Sequence, residues 1–311
     1  MTFAPGVAEF VDRCNRIMAP DSYKLPIEAQ RELYSKLQDE FPYQIPEDVS
    51  WREISDSYNG NLIRFRIYRP ISHALPGLIF YIRGGGYVMG SLDSHHSVAA
   101  EMASHARTPV VAVDFRLAPE HPFPTALEDC YRTLEYLHRN SVFLDICLAK
   151  VILAGDSSGG NMAVVLAMMC RDRKGPPLYG QALISPVLDF TRWRMGGHDV
   201  PLLTGGEMEF YTACYSPSAE QVSHPYVSPL IAGDFTNLPR AYIMGAEMDS
   251  LVTDAIEYAR LLRKNGTEVE LIVEPGLVHA AVRGRAISPA VQSAWYRFCN
   301  KVREMVEHDA N

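Results

Sequence analysis

Five short, nearly unbroken apolar runs constrain the fold of this 311-residue chain more than any other feature: Leu78–Ile82, Pro109–Val113, Val151–Ala154, Ala182–Ile184 and Ala241–Met244. A strand with one wet face alternates apolar with polar, so runs without alternation belong to strands covered on both faces. Helical texture fills Ser97–Ala106, Ala126–Arg139, Asn161–Arg173 and Thr253–Lys264 between them. A further strand, Glu268–Val273, precedes a helix near Pro289–Glu307. Upstream, Trp51–Ile54 and Leu62–Tyr68 flank Asn59-Gly60 and read as a hairpin with one wet face. This succession predicts an α/β chain with a mostly parallel, doubly wound sheet of eight strands flanked by helices.

Two segments stand outside that rhythm. Residues 1–45 read as helical, with Leu33 and Leu37 four apart on one face. Residues 188–225 hold Gly196-Gly197, Gly205-Gly206, Trp193 and several tyrosines where a simple crossover helix belongs. The two together are expected to form a helical cap over a main domain made of 46–187 and 226–311.

The balance of 29 Lys and Arg against 37 Asp and Glu gives −8, which argues against nucleic acid or an anionic membrane as partner. The longest stretches free of charge, Ser157–Cys170 and Gly175–Leu188, have 14 residues each, short of the roughly 20 that a spanning helix needs. Met1–Gly6 has neither a basic region nor a long apolar core, so no signal peptide is visible and a cytoplasmic location is expected. The six cysteines, Cys14, Cys130, Cys147, Cys170, Cys214 and Cys299, form no C-x-x-C and read as small core residues. Neither H-E-x-x-H nor a P-loop occurs, and His95-His96 reads as a polar entry to a helix. No metal or cofactor is expected.

Gly155-Asp156-Ser157-Ser158-Gly159 matches G-x-S-x-G, and its context sharpens the match. An apolar strand feeds into it, and the run Met162–Met169 continues to Arg171, Arg173 and Lys174 and then to Gly175-Pro176, as a helix with a cationic end would. A serine on such a tight strand-to-helix turn stands free at the sheet's C-terminal edge. Serine needs a base, and the base needs an orienting acid. In this architecture the acid precedes the histidine, and both follow the serine. Asp249, just past the strand Ala241–Met244, is the leading acid; Glu247 is a weaker rival, and Asp254 is expected to help start the next helix. Downstream histidines are His279 and His308, and only His279 lies at a strand end, His308 falling in the polar tail. Arg83-Gly84-Gly85-Gly86-Tyr87 follows the strand Leu78–Ile82, where glycines let backbone N–H groups turn toward an oxyanion, and the Ser158 N–H is another donor. A dinucleotide site fails on spacing, because Met89 occupies the third glycine position of G-x-G-x-x-G.

The chain resembles the hormone-sensitive-lipase-like esterases of the α/β-hydrolase fold, which include bacterial acetyl and carboxyl esterases. The matching stretches are Gly84–Ser91, Asp114–Pro124, Gly155–Asn161 and Asp249–Leu251, within a similarity from about residue 50 to 300. The resemblance implies a cofactor-free esterase for short acyl chains, with Ser157, Asp249 and His279 as triad and a two-part cap. It also implies Gly85, Gly86 and Ser158 as oxyanion donors, cis peptides within Leu117–Pro124, and a small-molecule ester as substrate. Members are often dimers, so a homodimer is compatible with it. Two departures stand out: Arg83 replaces the histidine that usually opens the glycine motif, and Ala280-Ala281 replaces the Gly-Phe that usually follows the triad histidine. Amide, carbamate or lactone hydrolysis by the same residues is the alternative. A non-catalytic receptor is disfavoured because His279 is retained.

Overall fold

A computed structural model describes residues 2–307, so His308 lies outside the described residues. Eight strands form one sheet: β1 Val49–Tyr58, β2 Asn61–Pro70, β3 Leu78–Ile82, β4 Val110–Asp114, β5 Val151–Asp156, β6 Gly180–Ile184, β7 Arg240–Ala246 and β8 Val269–Glu274. Their spatial order is β1-β2-β4-β3-β5-β6-β7-β8. The pairs β1–β2 and β2–β4 are antiparallel, and the remaining six strands run parallel from β4 across to β8.

The helices in chain order are α1 Val7–Ile17, α2 Ile27–Glu40, α3 His96–Ala106, α4 Thr125–Arg139 and α5 Ser141–Leu144. They continue with α6 Ser158–Asp172, α7 Gly205–Tyr215, α8 Ala219–Val222, α9 Val252–Lys264 and α10 Pro289–Glu307. Strand pleating divides the core in two. Leu78, Phe80 and Ile82 of β3, with Val151 and Leu153 of β5, pack toward α4, α6 and α9. Ile79 and Tyr81, with Ile152 and Ala154, point the other way toward α1, α3 and α10. Every residue of α6 from Ser158 to Cys170 is buried, so its lack of an amphipathic stripe reflects a helix enclosed on all sides.

The apolar runs are strands and the segments of helical texture are helices, within two residues except at the start of α6, which begins at Ser158, three residues before the expected Asn161. The hairpin differs in one respect. Asn59 and Gly60 turn with positive φ as expected, but the wet surface belongs mostly to β1, at the sheet edge. Neighbours on both sides and helices α3 and α4 bury β2 from Phe65 to Tyr68. The peptides Ala118–Pro119 and Phe123–Pro124 are cis. Cys14, Cys130, Cys170 and Cys299 are buried, whereas Cys147 is exposed and Cys214 half-buried. No helix among the described residues is long and apolar enough to cross a membrane.

Candidate active site

Four strands deliver the site residues from their C-terminal ends: β3 the glycine loop, β5 Ser157, β7 Asp249 and β8 His279. Because β3 lies beside β5, the glycine loop borders the serine turn directly.

Ser157 stands between β5 and α6 with φ 53° and ψ −120°, a conformation that a residue with a Cβ adopts only under constraint. Its N–H donates to Ile184 O (2.9 Å) and its carbonyl accepts from Asn161 N (3.1 Å). The Asn161 side chain in turn donates to Val187 O (2.8 Å) and Val227 O (3.0 Å), tying the turn to the chain beyond β6. Gly159 explains one letter of the motif by close approach: a Cβ there would fall on Ile82 O and lie 2.6 Å from Arg83 O. The first turn of α6 therefore rests directly on the end of β3.

The three sequence-predicted triad residues meet. Ser157 Oγ lies 3.0 Å from His279 Nε2, and His279 Nδ1 lies 2.7 Å from Asp249 Oδ2. An ionised carboxylate only accepts, so Nδ1 carries the proton and Nε2 is left to accept from the serine hydroxyl. Asp249 is 2% exposed, and its other oxygen accepts from Leu251 N (2.9 Å). Burial pulls the His279 pKa down, but the charge and hydrogen bond of Asp249 outweigh it and hold the imidazole above its ordinary value. Glu247 takes no part: its carboxylate accepts from Gly276 N (2.8 Å) and fastens the turn that leads to His279.

Asp254 corrects the expectation from sequence. It lies in the first turn of α9, but instead of capping that helix its Oδ2 accepts from Leu188 N (2.7 Å) and Asp189 N (3.1 Å), and it pairs with Arg192. Wholly buried, it anchors the start of the 188–225 segment. Two orphan N–H groups of a buried loop need an acceptor, and no local pattern in the sequence announces which residue supplies it.

Gly85, Gly86 and Ser158 face the same cavity as Ser157 and His279. None of their three N–H groups has an acceptor among the described residues. Gly86 has φ 61° and its Cα abuts the Tyr211 ring, so a Cβ there would lie 2.6 Å from the ring. Arg83 is buried with its guanidinium 4.1 Å above the Phe115 ring. It donates to Met89 O (3.3 Å) and lies 3.6 Å from Asp114. Met89 N and Val88 N donate to Gly85 O, so the arginine braces the far side of the glycine turn.

Local sequence pattern assigns Asp156, His95 and Arg31 no role in the site. Asp156 Oδ1 accepts from the Tyr81 hydroxyl (2.6 Å) and from Gly84 N (3.0 Å), and His95 Nε2 lies 3.7 Å from Oδ2. Burial would raise this carboxyl, but the charge and hydrogen bonding of His95, with the Tyr81 and Gly84 bonds, hold it at about 2. Asp156 thus stitches the serine turn to the glycine loop, and its place inside the motif was the one available signal. Arg31 of α2 donates to Val88 O (2.9 Å) and Ala118 O (3.1 Å) and forks onto Glu120 at 2.7 Å twice. It ties the N-terminal helices to the back of the glycine loop, and a charged residue on a polar helix gives no sign of that.

The cavity over Ser157 holds about 370 Å³ and lies between the sheet edge and the two segments outside the strand–helix rhythm. Phe10, Cys14, Tyr34 and Leu37 line it from one segment, and Leu202, Leu203, Met208 and Tyr211 from the other.

Comparison with known proteins bears on the family and the fold. A family model described as alpha/beta hydrolase fold matches residues 79–283. The chain is 35% identical over 266 residues to the carboxylesterase NlhH of Mycobacterium tuberculosis, covering 81% of this chain and 82% of that protein. It is also 35% identical over 234 residues to an ethyl acetate hydrolase of Pseudomonas putida, covering 72% of this chain and 73% of that one. Among solved structures, the hyperthermophilic esterase of the archaeon Pyrobaculum calidifontis superposes with a TM-score of 0.85 at 29% identity, over 98% of this chain and 99% of that one.

Proposed function

The chain belongs to the hormone-sensitive-lipase-like esterases of the α/β-hydrolase fold, and on that premise we propose that it hydrolyses short-chain acyl esters through an acyl-enzyme on Ser157. Carboxylic ester hydrolysis is the reaction class of these relatives and of this chain. The observation that carries the finer reading is the hydrogen-bonded series Ser157–His279–Asp249, at 3.0 and 2.7 Å, opposite three N–H groups without acceptors.

In this reading His279 Nε2 takes the serine proton as Oγ attacks the ester carbonyl. The Gly85, Gly86 and Ser158 amides receive the oxyanion, and preformed donors of this kind contribute about 3–4 kcal/mol each to transition-state stabilisation. His279 then gives its proton to the departing alkoxide, and Asp249 stabilises the imidazolium in the interval. Water repeats the sequence on the acyl-enzyme. The helical segments 1–45 and 188–225 act as the cap that closes the cavity, and its limited volume favours acyl chains of roughly two to eight carbons. The test is Ser157→Ala assayed with p-nitrophenyl acetate, beside labelling by a serine-directed organophosphate read by mass spectrometry. Loss of turnover and of a one-to-one adduct is expected. Wild-type turnover in the variant, or faster cleavage of emulsified long-chain lipid by the parent, would defeat the reading.

A further inference from the structure

Arg283 lies four residues beyond His279, on the short turn Ala281–Gly284, and lines the cavity that holds Ser157. It is half-buried, with its guanidinium over the Tyr34 ring at 4.7 Å. Its charge acts on Tyr34, Cys14 and His95 nearby. Among the described residues no carboxylate lies within ion-pair reach of it. The other arginine lining the cavity, Arg285, is different: it is buried and forks onto Glu101 at 2.6 Å. An aromatic face orients a guanidinium but leaves most of its five N–H donors unused.

The carboxylates that line the same cavity are already engaged. Asp156 holds Tyr81 and Gly84, Glu207 accepts from the Thr204 N–H (2.8 Å), and Asp199 accepts from Gly205 N (2.9 Å). Glu207 has Thr204, His279 and Asp199 as its electrostatic neighbours, whereas Arg283 has Cys14, Tyr34 and His95 and shares the last two with Asp156. Glu207 and Asp199 are thus each other's neighbours rather than Arg283's, and the third carboxylate, Asp156, is taken up by Tyr81, Gly84 and His95. Gln38, one turn beyond Tyr34 on α2, and Asn15, next to Cys14 on α1, bring amide donors to the same cavity lining.

We propose that Arg283 binds a carboxylate on the substrate, so that the enzyme prefers esters carrying a second, ionised carboxyl group over their neutral counterparts. The inference rests on the Ser157 reading above and adds the substrate class to it. Charge-assisted hydrogen bonds to a half-buried guanidinium give a preference of about tenfold, toward the lower end of their usual range.

The test compares kcat/KM for each carboxylate ester with that for its carboxamide isostere. Monoethyl esters of the C4 to C8 dicarboxylic acids place the charge on the acyl side; 4-acetoxybenzoate places it on the alcohol side. At low ionic strength the parent is expected to favour one of these two sets by about tenfold, mainly through KM. In Arg283→Met the ratio falls to about one, in Arg283→Lys it is intermediate, and in Arg283→Glu it falls below one. Each ratio is internal to one protein, so a general loss of activity cancels, and thermal midpoints report folding. If Arg283→Met does not fold, 0.5 M salt must still lower the parent ratio by screening. A parent ratio of one or less in both sets, a ratio unchanged in Arg283→Met, or a salt-independent ratio would overturn the proposal. Failure of the Ser157 reading looks different: neutral isosteres would be cleaved equally well by Ser157→Ala.

Discussion

Gly159→Ala sets two effects of known size against each other. Gly159 is the second residue of α6 and has no positive φ, so helix propensity alone favours alanine by up to about 1 kcal/mol. Sterics oppose it. The new Cβ would fall on Ile82 O and lie 2.6 Å from Arg83 O, where ordinary C···O contacts begin near ~3.3 Å. Both obstacles are backbone and cannot rotate away, so α6 and the end of β3 must part by about 1 Å. Overpacking of this kind costs about 1–3 kcal/mol, which outweighs the propensity gain and lowers the thermal midpoint by a few degrees. The larger effect falls on catalysis. The displaced elements carry Ser157 and Ser158 on one side and Gly85 and Gly86 on the other, and a 1 Å misplacement costs about a hundredfold, or ~2.7 kcal/mol. The assay is kcat/KM on p-nitrophenyl acetate with the midpoint of unfolding. Gly245→Ala is the control, because a Cβ there meets nothing closer than Val252 at 3.4 Å. If Gly159→Ala keeps kcat/KM within threefold and its midpoint within a degree, the contact between α6 and β3 does not set the geometry of the site.

The pH dependence has a definite sign. His279 must be neutral to act as base, and because its pKa is raised above the ordinary 6.5, kcat/KM should fall on acidification with a midpoint above about 6.5. Asp249→Asn removes the charge that raises it while burial remains, so the acid limb should move down in pH while the rate drops by about 10³–10⁴; a parent midpoint below 6.5 or an unmoved limb would contradict this. Asp254→Ala strands the N–H groups of Leu188 and Asp189 in a buried loop and should cost about 3 kcal/mol in urea unfolding. A loss under 1 kcal/mol would mean that water or another acceptor replaces the carboxylate.

Much of this protein follows from local pattern. Uninterrupted apolar runs placed the five inner parallel strands, β3 to β7, because a strand covered on both faces has no polar side to show. The serine turn was readable because its glycine spacing reflects contacts that only a missing Cβ permits. Asp249 and His279 could be chosen because chain order and strand ends leave few candidates. What tertiary structure alone decided are the contacts between residues distant in sequence. Arg31 reaches the glycine loop across 57 residues to Val88. Asp254 serves a loop 66 residues away, and Arg83 is held over the ring of Phe115 on the neighbouring strand's exit. A charged side chain on a helix or loop has the same local signature whether it ends in water or on a buried carbonyl. Only the packed chain determines which backbone groups lose their water and therefore need it.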